Sequence, residues 1–148
     1  MLTDPTTARF WAQAEAALGP LPRDRLSDIG PFDDNAEGAA YCVAAILDGT
    51  KTATSALAAT ARDYQPGDLE IATEFDGTPR ALFEITATDL CPFGEIDEAF
   101  AQAEGDGTLA AWRETHLRYY GARLAERGET LTQDTMLRRI FLERLYPV

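Results

Sequence analysis

Lysine is nearly absent from this chain: of thirteen basic residues twelve are arginine, and Lys51 is the only lysine. Histidine and cysteine are scarce too, with His116 alone and two thiols, Cys42 and Cys91. With no CxxC pair and a single imidazole there are too few ligands for a structural zinc site, and neither a metal nor another cofactor is expected. No apolar run of about 18 residues occurs, so no segment reads as a membrane span. The start, Met1-Leu2-Thr3-Asp4-Pro5, lacks the basic and apolar regions of a signal peptide. The expected compartment is the cytoplasm, with both cysteines as small buried side chains. Positive charge is also short: 25 acidic residues leave a net charge of −12. Affinity for nucleic-acid backbones comes largely from Lys and Arg neutralising phosphates. The balance therefore disfavours a general RNA or DNA binder and fits a small substrate, or one nucleotide held in a pocket. It says nothing of oligomeric state.

The composition that remains is ordinary for a globular protein, and 148 residues without repeat, linker or low-complexity segment read as one domain. A first helix is predicted from about Pro5 to Leu18, with Thr3 or Asp4 as cap and Gly19-Pro20 as stop. Pro20 to Pro31 reads as an irregular connection, so residues 1–31 form an N-terminal helical extension. Asp33, Asp34 or Asn35 then caps a helix reaching Asp48, with Ala39, Val43, Ile46 and Leu47 as its buried stripe and Gly49 closing it. Ser55 to Arg62 fits a short helix or an ordered loop. Leu69, Ile71, Thr73 and Phe75 alternate with polar neighbours, Asp76-Gly77 turns the chain, and Ala81, Phe83, Ile85 and Ala87 alternate again. That is a hairpin. A short helix follows from Ile96 to Ala103, capped near Gly94 or Glu95. A long one runs from Leu109 to about Arg127, with Thr108 as cap and Leu109, Trp112, His116, Leu117, Tyr120 and Leu124 as its stripe. Arg139 to Leu145 alternates as a last strand. Strands mixed with helices give an α+β domain.

Lys51 is the first candidate for chemistry. Arginine keeps its proton in a protein, whereas a desolvated lysine can lose it, so a lone lysine in an arginine-rich chain is worth asking about. It lies in Gly49-Thr50-Lys51-Thr52-Ala53-Thr54-Ser55, just past a helix C-terminus whose dipole favours the ammonium.

Gly49-x-Lys51-Thr52-Ala53-Thr54, then Gly67-Asp68 opening a strand, then Glu104-Gly105-Asp106-x-Thr108-Leu109-x-x-Trp112-Arg113-x-x-His116, and a closing Glu143-Arg144-Leu145 together resemble the ASCH-domain family over about Phe32 to Leu145. The resemblance implies a PUA-like fold, a small β-barrel flanked by α-helices, with a cleft lined by the Gly-x-Lys motif. Members are RNA-associated, and some are similar to amidohydrolases that convert N4-acetylcytidine to cytidine and acetate. Carried over residue by residue, the implied catalytic set is Lys51, Thr54 and Glu104. Thr52, Asp106, Trp112, Arg113, His116 and Glu143 are the candidate substrate-binding residues.

Each has a plainer reading as well. Trp112 and His116 suit a core face, Arg113 an ion pair, Asp106 a helix cap, and Glu143 a barrel-closing strand. Tyr41, Tyr64 and Tyr119 are further aromatics without a specific role. Amide hydrolysis needs a nucleophile, a proton acceptor and oxyanion stabilisation. Lys51 is either the base or, if charged, the stabiliser beside a basic Glu104; a neighbouring carboxylate favours the second. In a plain strand, residues three apart face opposite sides, so Lys51 and Thr54 converge only if the chain bends between them. The expected function is a hydrolase of an N4-acylated cytidine. The alternative is a PUA-like RNA-binding module or ribonuclease using the same cleft.

Overall fold

The computed structural model describes all residues, Met1–Val148. Its elements are α1 (Pro5–Leu18), β1 (Leu26–Gly30), α2 (Ala36–Asp48), β2 (Ala53–Leu57), β3 (Leu69–Thr73), β4 (Pro79–Pro92), α3 (Glu98–Ala103), α4 (Leu109–Ala125) and β5 (Met136–Tyr146). The strands form a single sheet in the order β1-β3-β4-β5-β2, parallel only between β1 and β3. The α+β class is as expected, but the sheet is open. β1 and β2 remain unpaired edges, so the barrel is incomplete.

Local chemistry accounts for most element ends. Asp4 accepts from the Thr7 amide at 2.9 Å and Asn35 from the Gly38 amide at 2.7 Å, capping α1 and α2. Asp97 and Thr108 cap α3 and α4 in the same way, at 2.9 and 3.1 Å. Gly49 ends α2 with φ +87°, a backbone region that suits glycine. β4 and β5 are the longest strands and the centre of the sheet, joined from Leu82↔Tyr146 to Pro92↔Met136 with two irregularities.

The strand expected to run on through Phe75 ends at Thr73, with Phe75 exposed, and two further stretches differ from the sequence reading. Leu26–Gly30, assigned to an irregular connection, is a five-residue edge strand beside β3. Ala53–Leu57, expected to begin a helix or loop at Ser55, is a strand because β5 pairs along its whole length. On α4, Leu117 points to solvent at 57% exposure, leaving Trp112, Tyr120 and Leu124 buried and His116 half-buried.

The apolar interior falls into three connected regions. Phe10, Trp11 and Ala14 of α1 cover Leu26, Leu69, Ile71 and Leu82 at one end of the sheet. Val43 and Ile46 of α2 lie on Phe83, Ile85, Ile140 and Leu142. Phe100, Trp112, Tyr120 and Leu124 of α3 and α4 pack on Ala53, Leu57 and Leu137. At ~25 cal/mol per Å² of apolar surface removed from water, these faces dominate the stability. Between α2 and α4, over the start of β2, the packing leaves a cleft.

Candidate functional site

The cleft has a volume of about 670 Å³ and takes its walls from α2, the turn into β2, the α3–α4 junction and α4. Lys51 enters it by way of a fixed turn. Its amide donates to Ala45 O at 3.0 Å, and the next amide, of Thr52, donates to Ala103 O at 2.7 Å. The chain is thus held between the ends of α2 and α3 before the strand begins, which supplies the bend that lets Lys51 and Thr54 share a cleft. Gly105, with φ +92°, closes the other wall; a Cβ there would lie 3.5 Å from the Ala45 Cβ and 3.6 Å from that of Lys51. Tyr41 donates from its hydroxyl to Gly105 O at 2.6 Å and pins the same turn.

Lys51 is 5% exposed. Its Nζ donates to Ala53 O at 3.0 Å and Glu104 O at 3.1 Å, with the Glu104 carboxylate at 3.9 Å and the Phe32 ring at 5.3 Å. Two carbonyls accept hydrogen bonds from the nitrogen, and the carboxylate, beyond hydrogen-bonding distance, is its nearest negative charge. A buried cation so surrounded needs a carboxylate for neutrality, and Glu104, also 5% exposed, is that group.

Glu104 is the hub. Its carboxylate accepts from the Trp112 indole N–H, lies 3.3 Å from His116 Nε2, and accepts from the Ser55 hydroxyl at 3.2 Å. Burial pushes the Glu104 carboxyl upward, but the hydrogen bond from His116, the Lys51 charge and the indole outweigh it, and the net shift is down from 4.5. His116 mirrors this. Burial disfavours its imidazolium, yet the Glu104 hydrogen bond and charge prevail and raise it from 6.5. His116 Nδ1 donates to Trp112 O at 2.8 Å, so Nε2 can meet the carboxylate as a donor only when the ring is protonated. Trp112 also stacks on the imidazole, with centroids 4.2 Å apart and planes at 16°. Behind Ser55, the Tyr120 hydroxyl lies 2.6 Å from Ser55 Oγ, and burial raises the phenol well above 10.

Asp106 sits at the rim, where burial raises its carboxyl. Ligand atoms of Glu104, Asp106 and His116 lie within 4.8 Å of one another, the only grouping of its kind in the molecule. A cation there would have to break the Glu104–His116 contact and sit beside the Lys51 ammonium, so these residues form a self-neutralised charge cluster.

The structure therefore brings Lys51, Thr54, Glu104, Asp106 and His116 to one cleft. Trp112 is fully buried behind it and reaches it only through Glu104. Thr52, Arg113 and Glu143 do not line it. Thr52 is spent on backbone bonds to α3 and β5, Arg113 lies on the solvent side of α4, and Glu143 is exposed opposite Glu84 in the sheet. The hydroxyl on the carboxylate is that of Ser55, one residue beyond Thr54. Ser55 and Tyr120 were not singled out from sequence. Ser55 stood in a run of hydroxyls without distinction, and Tyr120 at a core position of α4. Tyr41 and Tyr119 do reach the cleft.

The Lactobacillus crispatus JV V101 ASCH domain, solved as a crystal structure, superposes with a TM-score of 0.86 at 25% identity, over 97% of this chain and 96% of that one. A crystal structure of a protein from Enterococcus faecalis V583 gives 0.80 at 23% identity, over 94% and 89%. No curated protein matches the sequence. The ASCH-domain family model matches residues 28–144, from within β1 to within β5, and the chain belongs to that family.

Proposed function

We propose that this ASCH domain hydrolyses an N4-acylated cytidine in the cleft, with Lys51, Thr54 and Glu104 at its centre. The observation that carries the reading is a buried ammonium beside an ionised carboxylate, with two hydroxyls, in a cleft of about 670 Å³. Such a volume suits one nucleoside.

In this reading the Lys51 question resolves toward charge. An ammonium donating to two carbonyls has no lone pair with which to take a proton, so Lys51 stabilises developing negative charge and Glu104 is the proton acceptor. A water held between Thr54 and Glu104 attacks the acyl carbonyl and leaves its proton on Glu104. The tetrahedral oxygen faces Lys51. Collapse breaks the C–N4 bond, Glu104 returns the proton to N4, and cytidine and the carboxylic acid leave, the acid giving its proton to solvent. His116, as imidazolium, and the Trp112 indole keep Glu104 ionised and aimed.

Incubation with N4-acetylcytidine, followed for cytidine release, is the test; turnover is expected and its absence overturns the reading. Loss of one preorganised charge stabiliser costs about 10²–10³ in rate, so Lys51→Met is expected to lose that much. A Lys51→Arg enzyme with unimpaired turnover would exclude a neutral amine base. The second reading, an RNA-binding module or ribonuclease, is favoured by one feature. The cleft runs on into a further chamber that contains Arg62 and Arg123. Shortening of a mixed RNA in the same assay would select it.

A further inference from the structure

The further chamber, of about 480 Å³, is the seam where the barrel fails to close: its walls include Asp28 and Gly30 of edge strand β1 and Thr54 to Leu57 of edge strand β2. It shares Phe32, Ser55 and Tyr119 with the cleft and adds Tyr64, on which the Arg62 guanidinium lies at 4.0 Å.

The pairing pattern of β2 decides what its free edge offers. Leu142 N donates to Thr52 O and Ala58 N to Met136 O, each at 3.0 Å, and the register between them is Thr54↔Ile140 and Ala56↔Arg138. In an antiparallel ladder, alternate residues turn both backbone groups to the same neighbour. Thr52, Thr54, Ala56 and Ala58 thus face β5, and Ala53, Ser55 and Leu57 face the seam. The Ala53 carbonyl is taken by Lys51 Nζ, and the Leu57 carbonyl by the amides of Thr60 and Ala61. Ser55 alone presents both a free N–H and a free C=O. A docked peptide strand needs several such pairs in succession, and this edge has one, stopped on both sides. One donor beside one acceptor fits a single planar amidine edge.

We propose, resting on the hydrolase reading above, that Ser55 is the base-recognition residue: its N–H donates to N3 of a cytosine and its C=O accepts from the N4–H, with the ring lying in the seam between Tyr64 and Tyr119. N3 and N4–H share one edge of the base, so the acyl group on N4 projects past it. Lys51 Nζ, anchored on the Ala53 carbonyl, stands about 7 Å back along the same strand edge, two residues at ~3.4 Å each. The acyl oxygen then falls toward the ammonium. The unclosed barrel thereby supplies base selectivity without a dedicated side chain.

Binding of nucleosides to the full chain tests this apart from catalysis. Cytidine, 3-deazacytidine (no N3 acceptor) and N4,N4-dimethylcytidine (no N4–H) are titrated while the Ser55 amide is followed by NMR. Each deletion leaves a buried partner unmet and is expected to weaken binding about tenfold, and cytidine is expected to shift the Ser55 amide. Ser55→Pro removes the N–H and is tolerated on a strand edge. Compared with Ser55→Ala, which removes only the hydroxyl, it should bind cytidine about tenfold more weakly. If Ser55→Pro does not fold, the analogue series decides. Equal binding of the three nucleosides, or no binding of cytidine, overturns the proposal. Discrimination among them without turnover of N4-acetylcytidine leaves it standing and removes the hydrolase reading instead. Turnover without discrimination does the reverse.

Discussion

The two halves of the cleft are built on opposite terms. Around Glu104, carboxylate, indole, imidazole, ammonium and hydroxyl have one another as partners, and no side chain of that group is left unmatched. The members from β2 meet those from the α3–α4 region across 49 to 65 positions of sequence, whereas Glu104 and Trp112 are only 8 apart. In the seam between β1 and β2, by contrast, Arg62 faces Glu70 as an ion pair, yet the buried Arg62 Nε lacks a hydrogen-bond partner and the Ser55 backbone edge is free. The first half is preorganised and expensive to disturb. The second is a vacancy in hydrogen bonding that a ligand can fill. One region holds charge in place for chemistry, and the other reads shape and hydrogen-bond pattern.

The charged half of the cleft is most vulnerable at its hub. Glu104→Gln leaves Lys51 and His116 without their counter-charge, and removal of one member of a buried pair costs about 3–5 kcal/mol. Chemical denaturation should show a loss of that order, and nucleoside turnover should vanish with it. A variant as stable as the wild type would mean that the three groups are not coupled as described.

A smaller and pH-dependent effect belongs to His116. Its folded-state value is raised above 6.5, so its stabilising contribution is fully present below 6.5 and is lost as pH rises through the raised value. Glu104 is lowered from 4.5, so its contribution is present above 4.5 and is lost as pH falls through the lowered value. Melting temperature is therefore expected to be highest between about 4.5 and 6.5 as far as this pair is concerned, and to decline on the alkaline side. In His116→Gln the alkaline decline should flatten. A wild-type profile without it would remove the imidazolium from the site.

The smallest effects are expected away from the cleft. Thr52→Ala and Arg113→Ala lie outside both halves, and surface substitutions of this kind usually stay within about 0.5 kcal/mol. Neither should alter nucleoside binding measurably. A loss of affinity in Arg113→Ala would extend the site along the solvent face of α4.

Much of this arrangement was legible before any coordinates. α1, α2 and α4 announce themselves by Asp4, Asn35 and Thr108 at one end, and the β3–β4 hairpin by strict alternation around Asp76-Gly77. β1 was not legible. Leu26-Ser27-Asp28-Ile29-Gly30 is five residues long, lacks alternation, and is a strand only because β3 lies beside it. β2 failed for a related reason: alanine has little intrinsic preference for extended backbone, and pairing with β5 overrides it. For the cleft, Lys51 was marked by composition and Glu104 by motif. Ser55 and Tyr120 became visible only when the chain folded, since their partners lie 49 and 65 residues away.

The stack of Trp112 on His116 carries an optical consequence. The molecule has only two tryptophans, Trp11 in the α1 region and Trp112 against the imidazole. A protonated imidazole in contact with an indole quenches its emission, and a neutral one does so far less. In a Trp11→Phe background, fluorescence should therefore brighten as His116 loses its proton. The charge state of this buried cluster could then be followed by light, in the intact protein, without label or substrate.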